Sequence, residues 1–79
     1  MNILVINAGS SSIKYQLIDM PFGFIKCIGL LERIGFSDAV FTHEKEGSKH
    51  LEIIAILNHD EGMKKIAATL MDTHLGVIS

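Results

Sequence analysis

The 79-residue sequence holds one cysteine, one proline and no tryptophan, and its lysines and arginines, seven in all, are outnumbered by nine acidic residues. Each shortage excludes something. A lone Cys27 cannot form an internal disulfide, and it fits a reducing compartment without demanding one. Seven glycines and one proline are too few for a collagen-like or linker composition. A net charge of −2 provides no basic footprint for nucleic acid. No basic segment precedes an apolar run at the N-terminus, so nothing reads as a signal peptide. The longest apolar stretch is broken by Lys14, Asp19 and Lys26, well short of the roughly 18 residues a membrane-spanning helix needs. The expectation is a soluble, cytoplasmic protein that binds neither membrane nor nucleic acid.

What is present is apolar. Hydrophobic residues make up 48% of the chain and charged ones 20%, a balance that argues against intrinsic disorder. A chain of this length buries only about 60–65% of the surface it exposes when unfolded, so an unstapled domain of this size is marginal alone. The charges are also uneven. Residues 1–25 contain only Lys14 and Asp19, which leaves Lys14 as a cation in need of an explanation.

Residues 2–7, NILVIN, are apolar on both alternating sets, the pattern of a strand covered on both faces. Ala8-Gly9-Ser10-Ser11 is turn material. Residues 12–19, SIKYQLID, alternate, with Ser12, Lys14 and Gln16 on one face and Ile13, Tyr15 and Leu17 on the other. The two segments should pair as an antiparallel hairpin. Further strands are expected over 24–33, with Gly29 marking a bulge or a close approach, and over 39–44 and 50–57, joined by a charged tip at 45–49. From Met63 the period changes. Met63, Ile66, Ala67, Leu70 and Met71 mark one face of an amphipathic helix expected over 59–73. Asn58 is its N-cap, with Glu61 three residues on as a capping-box variant, and Gly76 its stop.

The turn carries the chemistry. Asn7 to Lys14 compresses an amide, a glycine, three hydroxyls and one lysine into a few residues. Gly9 is expected to take φ > 0 and turn backbone N–H groups inward, making an anion-binding concavity. Ser10 and Ser12 can donate hydroxyl hydrogen bonds to phosphate oxygens, and Lys14, on the Ser12 face, supplies a point charge. Asn7 could offer its carbonyl oxygen to a hard cation. The set suits a magnesium–polyphosphate, met by a β-hairpin rather than by the strand-to-helix turn of a Walker A loop. The bland alternative is that Gly-Ser-Ser-Ser is only a hairpin loop and Lys14 only a solvated charge. Burial of an unpaired ammonium is costly, so Lys14 should face a cleft or an anion. His43, His50, His59 and His74 lack metal-site spacing, and Cys27 reads as a core thiol.

These residues resemble a known family. NILVINAGSSSIKYQLID is similar to the N-terminal signature of the acetate kinases, within the superfamily of acetate and sugar kinases, actin and heat-shock chaperones. GLLERIG and NHDEGMKKIAATLMDTHLGVIS extend the likeness over essentially the whole chain. The resemblance implies an α/β fold, an incomplete ribonuclease-H-like (actin-like ATPase) domain with a mixed sheet of about five strands and one packed helix. It implies that residues 1–79 are the N-terminal part of the first such domain, with the remainder absent. It implies an enzyme that transfers the γ-phosphoryl of ATP to acetate with Mg2+, acts on small molecules and forms a homodimer at full length. Residue by residue, it places Asn7 at the metal position, Lys14 at the ATP position, and Gly9, Ser10 and Ser12 at the phosphate. It places no catalytic residue within the 79, so the chain alone should be inactive. Gly62 stands where the family favours alanine, a small local defect by helix propensity. A propionate or other short-chain carboxylate kinase, or a non-enzymatic binding module, remains the alternative.

Overall fold

The computed structural model describes residues 1–71. Five strands, β1 (Asn2–Ala8), β2 (Ser12–Asp19), β3 (Phe24–Glu32), β4 (Ala39–Lys45) and β5 (Ser48–Ile54), are followed by one helix, α1 (His59–Leu70). The sheet runs β1-β2-β3-β4-β5, and each neighbouring pair is antiparallel. The described sheet is therefore a plain meander, not the mixed sheet expected. The short turns explain this, since a parallel neighbour requires a crossover of a dozen or more residues.

The alternation in β2 decides which face is buried. Ile13, Tyr15 and Leu17 join Cys27 and Leu31 of β3, Ala39 and Phe41 of β4, and Ile34, Ile56, Ile66 and Leu70 in one core. The helix lies on this face. Ile66 and Leu70 bury as its period requires, but Met63 and Met71 are exposed, at 37% and 68%. Gly62 and Thr69 take the contact instead. A Cβ on Gly62 would stand 2.9 Å from Leu31 Cδ2 and 3.1 Å from Ile13 Cδ1. The glycine is thus no defect: its missing side chain is the space in which the first turn of α1 meets the sheet.

Gly29 is a close approach, as one of its two readings has it. A Cβ there would overlap Cζ, Cε1 and Oη of Tyr15, its cross-strand partner. The ladder's irregularity sits elsewhere, between Leu17 and Ile18. Tyr15 is held below by His43, whose Nδ1 lies 2.6 Å from the phenol oxygen, and by stacking on Phe41 and His43. Burial pushes the Tyr15 phenol far above its ordinary range. Burial likewise raises the Cys27 thiol, which fits its reading as a core residue.

Two further expectations change. The charged tip shrinks to Glu46-Gly47, both at positive φ, as a two-residue hairpin turn demands. β1, read as covered on both faces, is an edge strand exposed along its whole length. The helix lies over the strands beyond it, and Ile3, Leu4, Val5 and Ile6 are each left about 40% exposed. The helix end expected at residue 73, the stop at Gly76 and His74 lie outside the described residues.

Candidate functional site

The register of the first hairpin assembles the site. Asn7 pairs directly with Lys14, so both side chains stand on the same sheet face. Ser12, two residues from Lys14, shares that face, opposite the one that α1 covers. Lys14 is exposed and has no ion-pair partner among the described residues. It lines an open depression of about 350 Å³ with Leu30, Glu32, Thr42, Glu44 and Lys49. Lys14 thus stands on an open surface near two carboxylates, and none of Asn7, Gly9, Ser10 and Ser12 lines the same depression.

Gly9, Ser10 and Ser11 form the turn between the strands. The Gly9 N–H donates to the Ser12 carbonyl at 2.8 Å, which spends on the turn one of the N–H groups expected to face an anion. Nor does Gly9 take positive φ; among the described residues the positive-φ glycines are Gly23, Gly35 and Gly47. Its lack of a side chain matters for a different reason. A Cβ would stand 2.9 Å from Ser12 Oγ, so glycine makes room for that hydroxyl. Ser10 is exposed and Ser12 half-buried. The turn therefore offers the hydroxyls of Ser10, Ser11 and Ser12 near an ammonium, with the Gly9 N–H already used within the turn.

Two contacts tie the turn to the rest of the domain. The Ile34 N–H donates to the Ser11 carbonyl at 3.0 Å, and His59 Nε2 lies 2.7 Å from the Gly9 carbonyl oxygen. His59 is not among the residues that the sequence pattern marks for the site. Its position as the first helical residue after the cap was the available signal, since a helix start favours acidic residues over a cationisable one.

Asn7 is the metal candidate. Its amide oxygen is a hard neutral donor of the type Mg2+ accepts, and Mg2+ commonly takes one or two protein oxygens and completes its shell with phosphate and water. No cluster of three or more His, Cys, Asp or Glu capable of holding a metal occurs among the described residues. No described helix is long and apolar enough to cross a membrane.

The sequence profile of the acetokinase family matches residues 2–77. The chain is 49% identical over 78 residues to the acetate kinase of Symbiobacterium thermophilum, covering 99% of this chain and 20% of that protein. It is 46% identical over 78 residues to that of Thermotoga maritima, covering 99% and 19%. Among solved structures, Porphyromonas gingivalis acetate kinase matches with a TM-score of 0.91 and 31% identity over 98% of this chain and 20% of its own. A propionate kinase from Francisella tularensis matches with a TM-score of 0.80 and 26% identity over 87% and 18%. The chain thus spans about a fifth of the length of these relatives. A profile match over nearly every residue, joined to a shared arrangement of five strands and one helix, establishes that this chain belongs to the acetokinase family.

Proposed function

We propose that residues 1–79 are the N-terminal part of the first actin-like ATPase domain of an acetate kinase, which transfers the γ-phosphoryl of ATP to acetate to give acetyl phosphate and ADP. The observation that carries this reading is the pairing of Asn7 with Lys14 on one open face beside the serine turn, with Lys14 left without an ion-pair partner among the described residues. Phosphoryl transfer asks little covalent chemistry of a protein; positioning and charge neutralisation dominate. Lys14 would hold a positive charge against the phosphate oxygens, where negative charge is spread in the transition state. Ser10 and Ser12 would donate to the same oxygens and fix their direction. Asn7 would give one oxygen to Mg2+, and the ion, when bound, neutralises phosphate charge.

This face would serve the nucleotide's phosphates. The acetate side of the reaction has no candidate within the described residues. A homodimer in the cytoplasm, acting on small molecules, is part of the same proposal. A propionate kinase is the second reading, favoured by the Francisella tularensis likeness, though that likeness covers less of the chain at lower identity than the acetate kinase one.

The test is a hybrid enzyme. Residues 1–79 replace the equivalent segment of the Symbiobacterium thermophilum acetate kinase, and acetyl phosphate is assayed from ATP and acetate. The hybrid should turn over in a Mg2+-dependent way, and the 79-residue chain alone should give nothing above a no-protein control. A folded but inert hybrid, or turnover by the chain alone, would contradict the proposal.

A further inference from the structure

His59 is the first residue of α1, and its ring reaches fifty positions back along the chain to the Gly9 carbonyl. A carbonyl oxygen only accepts, so Nε2 carries the proton in this contact. The ring is presented from a fixed base. Asn58 Oδ1 accepts the Glu61 N–H at 3.0 Å, and Glu61 Oε2 accepts the Leu57 N–H at 3.3 Å. Gly62 lets this first turn sit against Leu31 and Ile13.

On its other side the serine turn is held by the Ile34 N–H on the Ser11 carbonyl, and the next residue, Gly35, donates to the Ile56 carbonyl at 2.7 Å. Ile56 leads into Asn58 and His59. The contacts therefore close a ring: serine turn, Ile34-Gly35, Ile56, the helix start, and back to the turn through His59. Removing the imidazole opens that ring at Gly9 and leaves the turn anchored through Ser11. A histidine at the start of a helix brings no local benefit of its own, because the helix dipole there favours negative charge. The Gly9 contact explains why one stands there.

We propose that His59 is a positioning residue for phosphate binding, acting through the Gly9 carbonyl to set the orientation of the Gly9–Ser12 turn and hence where the Ser10 and Ser12 hydroxyls stand relative to Lys14. This rests on the reading of that turn as the phosphate-binding element. His59 itself contacts only the backbone of the turn, so its effect is on the placement of the donors and not on their number.

The experiment uses the hybrid enzyme carrying residues 1–79, isotopically labelled in that segment, with inorganic triphosphate as the probe and nuclear magnetic resonance as the readout. Nitrogen shifts of the His59 ring should report a proton on Nε2. His59→Ala should move the amide signals of Gly9 to Ser12 while leaving those of β4 in place. Triphosphate binding, followed at Ser10, Ser12 and Lys14, should weaken about two- to tenfold, the fold-change expected from one lost hydrogen bond of ordinary net strength. His59→Gln, whose side-chain amide keeps a donor near the Nε2 position, should restore part of the affinity, and it replaces the alanine variant if that one fails to fold. Unmoved turn amides, or an affinity indifferent to His59→Ala, would overturn the proposal. So would a change spread evenly over the sheet and not rescued by glutamine, which would mark a purely structural role. A parent hybrid that binds no triphosphate at the turn would overturn the phosphate reading itself, and the proposal with it. Binding by the parent that ignores His59 would count against His59 alone.

Discussion

Gly29→Ala forces a methyl into the filled core of the sheet. The added methyl would overlap three atoms of Tyr15: Cζ, Cε1 and Oη. Relief requires Tyr15 to move, and Tyr15 is held from three directions. It is fully buried, its hydroxyl is hydrogen-bonded to His43 at 2.6 Å, and its ring stacks on Phe41. Overpacking a filled core costs about 1–3 kcal/mol. If the ring tilts away, the buried pair breaks, and an unsatisfied buried polar group adds about 1–3 kcal/mol. The expected loss is therefore about 2–6 kcal/mol, a large share of what so short a domain can have. Urea unfolding followed by circular dichroism reads this as a drop in midpoint at an unchanged slope. Adding Tyr15→Leu should recover part of the loss, because it removes the atoms that clash. A loss below about 0.5 kcal/mol for Gly29→Ala, the range of an ordinary surface change, would refute the close-approach account of this position.

Gly62→Ala should not stabilise. Its gain in helix propensity of about 0.5–1 kcal/mol is offset by contacts at 2.9 and 3.1 Å with buried Leu31 and Ile13, and a thermal midpoint raised by several degrees would contradict this. Leu70→Ala should cost about 2–5 kcal/mol and Met71→Ala less than about 0.5 kcal/mol, since Leu70 is 3% and Met71 68% exposed; equal costs in urea unfolding would mean that α1 docks by another face. Glu52 is bonded to Lys65 of the helix at 2.6 Å and to His50 at 2.9 Å, and these partners hold its carboxyl below the ordinary value of 4.5. A carboxylate depressed in the folded state stabilises above its unfolded pKa and loses that contribution as pH falls through the folded one. Glu52→Gln should therefore destabilise the chain near neutrality and flatten part of its loss of stability below about pH 4.5; identical acid profiles for the two chains would contradict the bridge.

Much of the fold was legible because its signals are local. The alternation in SIKYQLID placed Ile13, Tyr15 and Leu17 in the core and Ser12 and Lys14 on the open face, and the Asn58–Glu61 pair marked the helix start. What was not legible depends on distant partners. β1 carries the pattern of a covered strand, yet nothing in that pattern says which segment covers it. The helical period nominates Met63 and Ile66 equally, and only the sheet's position buries one and exposes the other. Gly62 reads as a propensity defect until the distance to Leu31 is known. At the candidate site, the residue types in NAGSSSIK point to phosphate, but the reason for Gly9 lies in the Ser12 hydroxyl and not in positive φ. The contact between His59 and Gly9 joins residues fifty apart, beyond the reach of any local pattern.

Lys14 is the charge on which phosphate binding at this face depends most directly. In the hybrid carrying residues 1–79, Lys14→Ala removes the one side-chain cation of the Asn7–Lys14 hairpin. Loss of a preorganised group that stabilises charge in the transition state costs roughly 10²–10³ in kcat. The measurement is steady-state acetyl phosphate formation by parent and Lys14→Ala hybrids, with folding of both verified by circular dichroism. The expected result is a fall in kcat of about that size, together with a raised KM for ATP. A folded Lys14→Ala hybrid with the kinetics of its parent would contradict the claim that this face holds the phosphates.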